Sequence, residues 1–154
     1  MKLVELITPD SVCACVSAGS KKQVLEELSR KAAVLTGIDY HTIFDVLVER
    51  EKLGSTGIGG GVAIPHGTLS SLDRIHGCFA QLHNPVIFDT VDERPVDLLF
   101  VILAPENAAA DHLKVLAQIS RLMRDKSLCD KLRQSDRPET LYALLTDTTT
   151  HSAA

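Results

Sequence analysis

His66 closes the run Gly54-Ser-Thr-Gly-Ile-Gly-Gly-Gly-Val-Ala-Ile-Pro-His66-Gly67, in which five of the chain's nine glycines fall between Gly54 and Gly61. Glycine in such density lets backbone amides turn outward and approach a ligand, because no Cβ stands in the way. Val62-Ala63-Ile64 then makes a short apolar segment ending at Pro65, which holds Ile64 extended and forbids a helix there. An imidazole at the end of a strand is largely neutral near pH 7, since it ordinarily titrates at about 6.5. It is therefore a nitrogen nucleophile. Ser55 and Thr56 add hydroxyls, Gly57 and its neighbours add amides, and Arg50, about one helical turn upstream, adds a planar fork of donors suited to phosphate. His112 falls at the start of an expected helix, where free backbone amides favour an anion. Together these groups suit a covalent phosphohistidine.

The same glycines do not make a nucleotide loop. A phosphate-binding P-loop needs Lys-Ser/Thr after its last glycine, and Val62-Ala63 stands in that place. A dinucleotide fingerprint follows a strand and opens a helix, whereas this loop follows a helix and opens a strand. A metal module is the more distant alternative. His76 and Cys78 alternate along one strand face, and His66, His83 and His112 are available to join them, but zinc needs four converging ligands and His-x-Cys is a weak start. No metal or other cofactor is expected.

The elements that must hold this run read as one α/β domain over residues 1–154, with a core at about 3–146 and a polar tail over 147–154. Val12 to Val16 has the length of a strand. Ser20 and Gln23 have capping-box spacing, Val24, Leu25, Leu28, Ala32 and Leu35 recur at helical spacing, and Gly37 suits the stop. A second helix is expected from Asp39 to Leu53, with Ile43, Phe44 and Leu47 inward. Strands are expected over Ile75–Leu82 and Pro85–Phe88, a turn at Asp92–Pro95, and a central strand over Val96–Leu103. Helices are expected over Ala108–Lys126, Ser127–Arg133 and Pro138–Leu145. Local strands joined by longer helical crossovers give a mixed sheet flanked by helices.

Composition narrows the function classes. A net charge of −4 with no dense basic cluster argues against nucleic acid. No apolar run approaches the roughly 20 residues of a membrane helix, and the N-terminus lacks a signal-peptide core. Cys13, Cys15, Cys78 and Cys129 show no paired spacing and read as buried, reduced thiols of a cytoplasmic protein.

The stretch from Arg50-Glu-Lys-Leu-Gly through Ile-Pro-His66-Gly67 closely resembles the signature of fructose/mannitol-type enzyme IIA domains of the bacterial phosphotransferase system. Pro95-Val-Asp-Leu-Leu-Phe100 and His112-Leu113 also fit that family, and the match covers nearly the whole chain. The resemblance implies that His66 is phosphorylated on Nε2 and that His112 and Arg50 hold the phosphoryl group. It further implies a sheet of about five strands with helices on both sides and a histidine-phosphocarrier protein as donor. With no transporter or IIB segment in view, the chain looks most like the nitrogen-regulatory members, for which potassium transporters and sensor kinases are implied targets. A component of fructose or mannitol uptake is the alternative.

Overall fold

The structure is a computed structural model, and it describes residues 1–147. The expected polar tail thus lies, beyond Asp147, outside the described residues. In chain order the elements are α1 (Leu3–Leu6), a 3-10 turn (Pro9–Ser11), β1 (Val12–Val16), α2 (Lys21–Thr36), α3 (Tyr40–Lys52), β2 (Gly57–Gly59), β3 (Val62–Ala63) and β4 (His66–Thr68). They continue as β5 (His76–Val86), β6 (Val96–Ala104), α4 (Ala109–Met123), α5 (Lys126–Gln134) and α6 (Pro138–Thr146).

The strands make one mixed sheet in the order β1-β5-β6-β3-β2, with β4 also paired to β6. β3 and β4 run parallel to β6 one after the other, Val62 opposite Leu98 and His66 opposite Ile102. They are two pieces of one broken strand, so the sheet is five positions wide. β1 lies parallel to β5, while β5 is antiparallel to β6. β6 is covered on both sides, and its residues alternate between two cores. Leu98, Phe100 and Ile102 meet Val115 and Ile119 of α4 and Leu141 of α6, whereas Leu99, Val101 and Leu103 meet Val24 and Leu28 of α2 and Ile43 and Leu47 of α3. A strand buried on both faces must be apolar throughout, which is why Asp97 is its one polar residue.

The helix ends follow their caps. The Ser20 hydroxyl accepts from the Gln23 amide at 3.2 Å, and Gly37 closes α2 with φ 74°. The Gln23 side chain reaches back one residue further than a capping box requires, to the Gly19 amide. Asp39 caps α3 through the Thr42 amide. The expected helix over Ala108–Lys126 stops at Met123, because Asp125 caps a new helix through the Leu128 amide.

Two local expectations change. The two separate strand pieces expected over 75–88 are one strand, His76–Val86, with a register irregularity between Gln81 and Val86. Pro85 sits inside that irregularity, where a missing donor costs no ladder bond. Of the four cysteines, Cys78 and Cys129 are buried, Cys13 is half-buried and Cys15 is exposed. The β1 register shifts between Cys13 and Val16, with Cys15 at φ 53°, and Cys15 is left exposed while its amide and thiol face Oε1 of Gln81.

Candidate functional site

His66 stands where β4 begins, beside the last residues of β6 and at the carboxyl ends of two parallel strands. Ligands of open α/β sheets bind in that position. Pro65 breaks the strand without losing its pairing, since its carbonyl accepts the Ile102 amide at 3.0 Å. The imidazole is fixed by its two nitrogens. Nδ1 lies 2.8 Å from the Ile64 carbonyl, and Nε2 lies 3.2 Å from Nε of Arg50. Arginine only donates and a carbonyl only accepts, so the proton belongs on Nδ1 and the lone pair on Nε2. The free lone pair is the one that faces outward to Arg50.

Arg50 reaches the ring from the last turn of α3 and also donates from Nη1 to the Gly54 carbonyl at 2.8 Å. Its approach depends on Gly67. A Cβ at Gly67 would come within 2.2 Å of Cγ1 of Val46, so glycine there lets α3 lie close against β4. His112 comes from the opposite face of the sheet, as the fourth residue of α4. The two imidazoles meet edge to face, with centroids 5.7 Å apart and planes at 79°. His112 is buried, and its Nε2 has no hydrogen-bond partner among the described residues.

Both rings are pushed toward the neutral form. For His66 burial lowers the pKa most, the Ile64 carbonyl opposes it, Arg50 lowers it further and Glu51 raises it. For His112 burial again dominates and His66 adds to the lowering. A neutral ring with a free, positioned Nε2, a guanidinium on one side and an unpartnered imidazole on the other can accept and hold a phosphoryl group.

The family model for the phosphoenolpyruvate-dependent sugar phosphotransferase system, EIIA 2, matches residues 5–148. The chain belongs to this family. It is similar to a nitrogen regulatory protein of Bradyrhizobium diazoefficiens, 49% identical over 145 residues that span 94% of this chain and 95% of that protein. It also resembles the crystal structure of nitrogen regulatory protein IIA-Ntr from Neisseria meningitidis, with a TM-score of 0.88 and 36% identity across 94% of this chain and 99% of that one. A fructose-specific EIIA component of Haloferax volcanii is more distant, at 30% identity over 94% of this chain and 95% of its own length. The likeness is thus greater to these nitrogen regulatory proteins than to that sugar-specific one.

The remaining site candidates of this EIIA chain are placed differently from His66, Arg50 and His112. The Ser55 hydroxyl donates to the Phe88 carbonyl at 2.7 Å and accepts from the Gly57 amide at 3.1 Å. The Thr56 hydroxyl donates to Glu51 at 2.6 Å. Gly57 lies under Thr90, whose Cγ2 would sit 2.1 Å from an added Cβ. These three residues shape the loop beside the imidazole through their own internal bonds. His76 is half-buried, His83 is exposed, and among the described residues no group of three or more His, Cys, Asp or Glu side chains could hold a metal ion. No helix of the described residues is long and apolar enough to cross a membrane.

Sequence reasoning missed Glu51. It is buried, accepts from the Thr56 amide and hydroxyl, and pairs with Lys21 at 2.8 Å. A signal was present: position 51 follows Ile43 and Leu47 at successive intervals of four, so it continues the buried stripe of α3. A charged residue on that stripe must be satisfied inside the fold.

Proposed function

We propose that this chain accepts a phosphoryl group on Nε2 of His66 from a phosphohistidine of a carrier protein, and that its phosphorylation state is the regulatory signal. The observation that carries this reading is the Nδ1–Ile64 hydrogen bond, which leaves Nε2 as the nucleophile between Arg50 and His112. The Nε2 lone pair forms the new N–P bond while the donor's N–P bond breaks and returns its electron pair to the donor ring nitrogen. The proton stays on Nδ1, donated to the Ile64 carbonyl throughout. Arg50 turns its Nε–H from the ring nitrogen to a phosphoryl oxygen, and His112 offers the buried Nε2 that lacks a partner. Each is a donor aimed where charge gathers.

Nitrogen regulation is the favoured role, supported by the 49% and 36% identities to nitrogen regulatory proteins. Regulatory targets such as a potassium transporter or a sensor kinase would then read the presence of close to two added negative charges. Four free thiols fit a cytoplasmic setting. The test is incubation with phosphoenolpyruvate and the upstream carriers, followed by intact mass measurement. One acid-labile phosphoryl group is expected on the wild type and none on His66→Ala; phosphate retained by the variant would overturn the assignment.

A further inference from the structure

Glu51 does not touch His66, yet an unbroken line of hydrogen bonds joins them. Its carboxylate accepts the Thr56 amide at 3.0 Å and the Thr56 hydroxyl at 2.6 Å. The Thr56 carbonyl accepts the Ile64 amide at 3.0 Å, and the Ile64 carbonyl accepts Nδ1–H of His66 at 2.8 Å. Thr56 and Ile64 are therefore each held by both of their backbone polar groups. The far end is anchored too. Nζ of Lys21, the first residue of α2, lies 2.8 Å from Glu51, 3.4 Å from the Phe88 carbonyl and 4.9 Å from the centroid of the buried Phe88 ring.

We propose that Glu51, paired with Lys21, is a positioning residue for phosphoryl transfer that fixes the orientation and tautomer of His66 through Thr56 and Ile64. This rests on the reading of His66 as the phosphoryl acceptor. The arrangement gives a reason for an ion pair with a buried carboxylate, which contributes little net stability by itself once desolvation is counted. A carboxylate satisfied by three donors holds the loop backbone more firmly than the loop's own glycines can. It also balances charge at the imidazole. The titratable and charged groups facing His66 are Arg50 and Glu51 from α3 and His112 from α4, and Glu51 is the one that favours the protonated ring. Lys21 faces Glu51 and, at 3.9 Å, the exposed Asp89.

The charges make two substitutions act in opposite directions. Glu51→Gln removes the anion, so His66 titrates at lower pH, by roughly 0.5–1 pH unit. Lys21→Met leaves the anion uncompensated, so His66 titrates at higher pH. Both shifts are read by following the His66 ring in the unphosphorylated protein with nitrogen-15 and proton NMR, which also gives the tautomer. Wild type should show Nδ1–H as the single neutral tautomer, and Glu51→Gln a mixture with Nε2–H. Single-turnover transfer from the phosphorylated carrier should slow by about tenfold in Glu51→Gln. A purely structural Glu51 would lower the melting temperature and leave tautomer and titration unchanged, and that result overturns the proposal. Should Glu51→Gln not fold, an unmoved or downward His66 titration in Lys21→Met overturns it equally. If wild type takes up no phosphoryl group, the function proposed above falls, whereas the NMR titration still decides the role of Glu51.

Discussion

The two flanks of His66 are built on opposite plans. On the α3 flank both charged side chains are already engaged: Arg50 bonds the ring and Gly54, and Glu51 bonds Thr56 and Lys21. On the α4 flank His112 offers a buried nitrogen with no partner, in edge contact with the ring. Leaving a buried polar atom unpaired costs about 1–3 kcal/mol, and a fold without a use for it would lose it cheaply to an apolar side chain. One flank stabilises the resting site. The other carries an imidazole nitrogen that adds nothing to the resting hydrogen-bond network.

Substitutions on the two flanks should therefore separate stability from transfer. Arg50→Ala should have the larger effect on chemistry, slowing transfer roughly 10³-fold. It should also cost about 1–2 kcal/mol of stability through the lost bonds to His66 and Gly54. His112→Leu should slow transfer roughly 10²-fold while stability holds or rises by up to about 1 kcal/mol, since the orphan nitrogen is gone. Single-turnover transfer and urea denaturation measure the two quantities side by side. A His112→Leu protein that transfers normally, or one that loses stability as Arg50→Ala does, would erase the contrast.

Acid should expose the same division. Burial lowers both imidazole pKa values, so from about pH 6.5 downward the unfolded chain binds more protons than the folded one. Stability from these groups is complete above about pH 6.5 and declines as the pH falls through the folded-state values. Thermal midpoints at about pH 7.5 and about pH 5.5 should show a smaller acid loss in His112→Leu than in wild type. Equal losses would mean that His112 is not held neutral by the fold. The smallest effect is expected at Ser55, whose hydroxyl already serves the Phe88 carbonyl and the Gly57 amide. Ser55→Ala should change transfer by less than about threefold and cost about 1 kcal/mol in stability. A larger fall in rate would show that the hydroxyl leaves those partners for the phosphoryl group.

Much of this was legible in the chain because it is local. Ser20, Asp39 and Gly37 mark helix ends by side-chain chemistry within three or four residues, and Arg50 reaches Gly54 across one helical turn. The apolar run of β6 marked it as a central strand, and the sheet of about five strands was implied by the resemblance alone. What was hidden has no local period. β2 and β4 are three residues each, too short for any alternation, and they are placed by pairing to β3 and to β6. The Lys21–Glu51 contact joins residues thirty positions apart, and the exposure of Cys15 goes with a register shift against β5. Such features are decided by the assembled sheet.

The broken strand that carries His66 has a further consequence for how a message can leave the site. Its backbone is laced to β6 along Pro65, His66 and Thr68, and β6 is buried from Leu98 to Ala104. Amide hydrogens in such a place exchange only when the whole domain opens. The Ile102 amide, bonded to the Pro65 carbonyl, should be among the slowest in the chain. The floor under the imidazole is therefore held by the sheet, and a change at His66 is expected to leave it in place. Above it, the loop over 53–61 meets α3 through the Gly54 carbonyl on Arg50 and through Thr56 on Glu51, so any response of the loop to a change at His66 has to pass through those bonds.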